Sequence, residues 1–213
     1  MSWKDQRYQA VVFVVLVACL LLSVVTGCGS EHADRVGERP AADLSAVPAG
    51  VVWVDYQGVK VPVGDDGPHT YTPAAATGFT PTPQGAALAA IVHTVRMSLA
   101  PDEHWASVAQ HELAMGPGKD EWASSRVLLS IQTGADPATA PRVRGYTITD
   151  YSARRARVDI YTSFPDGSIA ANSATVVWVA EDWRLELPSP GSAEPTVREE
   201  VSVDASVKLE APL

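Results

Sequence analysis

Between residues 83 and 187 the hydrophobic period changes once, and that change constrains the fold more than anything else in the chain. From Pro83 onward, "PQGAALAAIVHTVRMSL" spaces Leu88, Ile91, Val92, Val95 and Leu99 three or four residues apart, the spacing of one helical face. After Gly134-Ala135-Asp136-Pro137 the repeat falls to two, in "RVRGYTITDY", "RRARVDIYTSF", "SIAANSATVVWVA" and "WRLELP". A helical stripe needs a surface to cover it, and a set of alternating strands needs one face covered. Each half of the chain supplies what the other lacks.

The helical half divides at its breakers. Thr82-Pro83 starts the first helix with a capping hydroxyl and then a proline where no amide hydrogen is missed. Ala100-Pro101-Asp102-Glu103 ends it and begins a second helix carrying Trp105, Val108, Ala109 and Leu113. Gly116-Pro117-Gly118 precedes a third, predicted from about Lys119 to Gln132, with Trp122, Val127, Leu128, Leu129 and Ile131 as its apolar residues. In the second half, residues 151–153, 165–168 and 181–182 are short turns, so the four strands form an antiparallel meander. Val158, Ile160, Thr162 and Phe164 share one face, and Trp183, Leu185 and Leu187 line the same buried side. Upstream, "VVWVDYQGVKVPVGDDGP" reads as a hairpin turning at Gln57-Gly58, followed by an irregular surface lead-in over residues 69–81. The expected fold is α+β: three N-terminal helices packed on a four-stranded antiparallel meander in a cone-like roll, preceded by the short hairpin. The domain is expected to span residues 51–188, with residues 189–213 as an acidic, disordered tail, a fifth strand in the alternating "REEVSVDASVKLE" being the alternative.

The N-terminus reads as an address. Lys4 and Arg7 precede the uncharged run "AVVFVVLVACLLLSVV" at residues 10–25, the layout of a signal peptide over residues 1–27. At about 16 residues the run is short for a membrane span, which needs roughly 20. Val25-Thr26-Gly27-Cys28 resembles a bacterial lipobox, in which small residues such as Gly27 flank the cleavage point and the following cysteine receives the lipid. The resemblance implies that Cys28 is the lipidated mature N-terminus, with residues 28–50 as a flexible tether between membrane and domain. An uncleaved, single-pass anchor and plain secretion are the alternatives. All three put the domain outside the cytoplasm.

Composition excludes some partners. There are 25 acidic against 16 basic side chains, a formal net charge of -9, which argues against nucleic-acid binding because phosphates need clustered Lys and Arg. The two cysteines, Cys19 and Cys28, both lie in the N-terminal segment, so the folded part needs no disulfide.

The order of anchor, tether, helices and meander resembles the exported domains of type IV secretion scaffolds and their Gram-positive conjugation counterparts, members of the nuclear-transport-factor-two-like superfamily. The phrases "VPVGDDGP", "GFTPTPQGAALAA" and "VVWVAEDWRLELP" resemble an uncharacterised family of exported actinobacterial lipoproteins. The resemblance implies a non-catalytic protein-binding or scaffold role in the cell envelope, with a link to conjugation or secretion. Cys28 departs from the scaffolds, which keep a spanning helix.

Few residues suggest chemistry. His111-Glu112 begins a helical zinc motif, but Met115 stands where the second histidine belongs, and His104 is two turns away, so no metal is expected. His93, one position past the apolar stripe, is the candidate polar group of an interior cavity, where it would serve a small-ligand binder or an enzyme. Arg142, Arg144, Arg154, Arg155 and Arg157 crowd the first sheet hairpin and form a candidate basic patch for an acidic partner or anionic headgroups. Cross-strand pairing with Asp150 and Asp159 is the plainer account of them. There is no nucleophile elbow, no phosphate-cradling glycine loop and no paired carboxylate set. Neither catalysis nor a cofactor is expected, and the expected partners are the membrane, through Cys28, and an envelope protein.

Overall fold

The computed structural model describes residues 42–192 and 195–211, and the signal segment, Gly27 and Cys28 lie outside them. Thr82 is extended and its Oγ1 accepts the Gly85 N–H at 3.0 Å, starting helix α1 (Pro83–Leu99) with the expected proline. Ala86 through Val92 are fully buried, so the first half of α1 is covered all round rather than on one stripe. Alanine at four of these seven positions lets neighbouring backbones approach that closely. Two shorter helices follow, α2 (Trp105–Glu112) and α3 (Pro117–Arg126).

The third helix is shorter than expected. Past Arg126 the chain is recaptured by side chains: Arg126 Nη1 donates to the Leu129 carbonyl at 2.6 Å, and Asp102 Oδ1 accepts the Ile131 N–H at 2.9 Å. Val127, Leu128 and Leu129, expected on a buried stripe, are exposed in that loop.

Strands β1 (Val52–Tyr56) and β2 (Val59–Val63) form the expected hairpin. Gln57 and Gly58 take φ of 52° and 83°, the left-handed pair that a two-residue turn requires. A Cβ at Gly58 would lie 2.0 Å from the Ala135 carbonyl oxygen, so that glycine also serves a close approach. Residues 69–81 are a strap and not a surface lead-in. They contain the small pair β3 (Thr70–Tyr71) and β4 (Ala76–Thr77) and bury Ala76 and Phe79.

Strands β5 (Arg142–Ser152), β6 (Arg155–Ser163), β7 (Ile169–Val179) and β8 (Asp182–Glu186) form the expected antiparallel run. Val158, Ile160, Val176, Trp183 and Leu185 sit on its buried face. The four-stranded roll is nevertheless the wrong description, because the sheet has six strands. Strand β9 (Val197–Glu200) pairs with Ile169–Asn172 of β7, along the edge that β8 occupies further on, and β10 (Val207–Lys208) pairs with Gly145–Tyr146 of β5. The domain is α+β, with two sheet strands drawn from the segment expected as a tail. The far end of the tether is also part of the fold: Leu44 packs on the core, and Gln84 Nε2 donates to the carbonyls of Asp43 and Ala46 at 3.0 and 3.2 Å. Among the described residues no helix is long and apolar enough to cross a membrane.

Ending the chain after Pro188 removes β9 and β10 and the buried side chains of Val207 (1% exposed) and Leu209 (5%). The expected loss is about 3–5 kcal/mol, from two aliphatic side chains returned to water, read as a lower urea midpoint. An unchanged midpoint would mean that the segment adds nothing.

Candidate functional site

His93, Arg96 and Glu112 form a charged cluster with no exposed surface. His93 and Arg96 are three residues apart on α1 and so share a face, and Glu112 ends α2 opposite them. His93 Nδ1 lies 3.0 Å from Glu112 Oε2, and its Nε2 lies 3.0 Å from the Trp183 carbonyl. Arg96 Nε donates to Glu112 Oε1 at 2.8 Å, and the Ala76 N–H donates to the same oxygen at 3.0 Å. The guanidinium stands over the rings of Tyr56 at 4.3 Å and Tyr71 at 5.1 Å. Burial pushes the Tyr56 hydroxyl up to about 12 and raises that of Tyr71 as well.

Chemically this cluster is closed. Both imidazole nitrogens are engaged, and Phe79 packs edge-on to the ring at 5.1 Å. No lone pair is offered to a substrate, and His93 is not among the residues that line either compartment of the cleft described below. The cluster ties α1, α2, β4 and β8 together. Glu112, read in the sequence as half of a zinc motif, is its centre, and Arg96 escaped the sequence reading although its spacing from His93 placed it there. His111 is held by Ser107 on its own helix, and His104 lies 3.5 Å from Glu103. Among the described residues no group of three or more potential ligands could hold a metal ion.

Three further carboxylates fasten loops to this frame. Asp182 accepts the N–H groups of Gly78 and Phe79 at 2.8 and 2.9 Å, fixing the strap to β8. Asp159 accepts from Ser173 at 2.5 Å and Arg198 at 2.9 Å, fixing β9. Asp102 accepts from Ile131, Ser130 and Arg126, which together hold its carboxyl down to about 2.

The five arginines are not one patch. Arg142 pairs with Ser163 at the open end of the β5–β6 hairpin, and Arg154 and Arg155 lie at its turn. Eight residues of strand, about 27 Å, separate the two groups. Arg155 is paired with Glu186 at 2.6 Å, and Arg157 faces Asp150 across the strands.

The accessible concavity lies beneath the C-terminal half of α1. One compartment of about 660 Å³ is lined by Lys119, Arg155, Arg157 and Glu186, with Thr94, Ser98 and Asn172 at its inner wall. A second, of about 280 Å³, adjoins it, sharing Thr94, Ser98 and Asn172 and lined further by Val95, Leu99, Val143 and Phe164. Gly118 allows this arrangement: a Cβ there would stand 2.4 Å from the Pro188 carbonyl, so only glycine lets α3 close against the exit of β8. Of the candidate residues from the sequence, only Arg155 and Arg157 meet in this cleft. Lys119, Thr94 and Asn172 carried no sequence signal, because no local pattern relates them.

Fold and site together define an α+β domain with a sealed ionic core and an open cleft. The chain belongs to the family described as a domain of unknown function, DUF8175, whose model matches residues 28–205. No curated protein and no solved structure matches it.

Replacing Glu112 with Ala leaves Arg96 buried without its carboxylate, and is expected to cost about 3–5 kcal/mol in urea unfolding. Arg155→Ala, at a surface pair, is expected to cost under about 1 kcal/mol. Equal costs would refute the assignment of the cluster as the frame of the fold. Asp102 gives a pH signature. Its folded value of about 2 lies below the ordinary 3.8, so its contribution is complete above 3.8 and is lost as pH falls through about 2. Asp102→Asn should flatten the stability profile across that window, and an unchanged profile would count against the clamp.

Proposed function

We propose that this chain is a membrane-anchored lipoprotein of the bacterial cell envelope whose folded domain binds without catalysing. The observation that carries the reading is the division of its charged groups. His93 and Glu112 are buried and engaged with each other and with Arg96, while the cleft presents cations, hydroxyls and an apolar floor, the chemistry of recognition. The family match supports the anchor, since it begins at Cys28, the residue that the lipobox makes the mature N-terminus. The likeness to exported actinobacterial lipoproteins agrees with it. The resemblance to secretion scaffolds rests on an order of anchor, tether, helices and four-stranded meander, and the sheet has six strands, so the envelope partner is proposed without that apparatus.

Cys28→Ser tests the anchor in cells fed radioactive palmitate. The wild-type chain takes up label and is shortened, whereas the variant does neither and accumulates as the longer precursor. A variant that is labelled, or that migrates like wild type, overturns the lipoprotein reading.

A further inference from the structure

The two compartments of the cleft differ in chemistry and share a waist. Thr94, Ser98, Asn172 and Val197 line both. On one side of the waist the walls are Val59, Val95, Leu99, Val143, Phe164 and Ala170, and an apolar chain laid among them leaves water at about 25 cal/mol per Å² buried. On the other side stand Lys119, Arg157 and the ion pair of Arg155 with Glu186.

Two groups here lack what they need. Thr94 Oγ1 is buried at the waist with no hydrogen-bond partner, a condition that costs about 1–3 kcal/mol unless something else bonds it. Among the described residues the Lys119 ammonium hydrogen-bonds only to the Leu113 carbonyl at 3.4 Å and the Met115 sulfur at 3.8 Å. Desolvation, and then the charge of Arg184, push its pKa down against the smaller pull of Asp120, and an anion beside it would offset them. The N-terminus of α3 opens on the same compartment through Pro117, with no side-chain cap on Gly116, and adds positive potential there.

We infer that the cleft binds a single-chain anionic amphiphile: an acyl chain in the apolar compartment, a hydrogen-bonding link at Thr94, and a negatively charged head at Lys119. The inference rests on the binding-domain reading, and it is argued without the anchor, since every residue it uses belongs to the described domain.

The test uses the full chain in phosphatidylcholine nanodiscs and dodecyl phosphate carrying a photoreactive diazirine at its chain end. Labelling is expected at residues 95, 99, 143 and 164, and is expected to fall roughly ten-fold in Lys119→Glu, the scale of one lost charge contact. Val95→Trp, which fills the apolar compartment, should abolish it, with circular dichroism confirming that both variants are folded. Unlabelled dodecyl phosphate and dodecanoate should both compete, which makes the negative charge, and not the phosphorus, the recognised feature. Competition by dodecanol as strong as by dodecyl phosphate would overturn the anionic head, and competition by inorganic phosphate alone would overturn the acyl chain. Label confined to residues 1–41, or equal in wild type and both variants, would overturn the site. The same labelling in Cys28→Ser would show the cleft working whatever the fate of the anchor, so the two readings fail separately.

Discussion

The buried carboxylate of Glu112 is the constraint on which the rest of the structure depends. It enters the core at the end of a two-turn helix and is met by an arginine and a histidine from α1 and a backbone amide from the strap, two other places in the chain. A carboxylate in such surroundings is tolerable only when all of those partners arrive together. The cluster therefore acts as a register device: α1 cannot slide or rotate against α2 without stranding a charge. Apolar packing around Leu88, Ile91 and Val92 supplies the bulk of the burial but does not choose one alignment so sharply.

What the sequence revealed follows the range of its signals. The hairpin at Gln57-Gly58, the cap at Thr82-Pro83 and the four strands from Arg142 to Glu186 are local patterns, and each forms where its pattern lies. The missed features are long-range. The segment "REEVSVDASVKLE" does alternate, but β10 has only two residues and owes its place to Val207 and Leu209 dropping into the core, a contact that so short a pattern does not specify. Leu128 and Leu129 continue a helical stripe on paper, yet Arg126 and Asp102 close a loop there instead. His93 shows the same limit: its place one position past the apolar stripe made it a cavity candidate, and tertiary contacts engage its two ring nitrogens with a carboxylate and a carbonyl.

The sheet edge gives the cleft its form. β8 and β9 both pair with β7, on the same side, at Thr175–Val179 and Ile169–Asn172, and the chain between them leaves the sheet. Where the edge is interrupted, residues of alternating orientation such as Asn172 and Ser173 both line the cleft, so one strand serves it with side chains from both of its faces. Polar and apolar walls can therefore meet within a few ångströms, which a continuous sheet would have kept apart.

The way the chain enters the domain sets how the fold would answer a mechanical load. A pull on residue 42 does not reach the sheet directly. It first meets the two hydrogen bonds from Gln84, then the bond from the Asp65 N–H to the Ala49 carbonyl, and only afterwards the β1–β2 ladder. These contacts break one after another in a peeling geometry. The nine residues from 42 to 50 would then pay out about 30 Å of slack before any strand bears tension. Built this way, the entry segment is a shock absorber that yields before the strands are pulled apart.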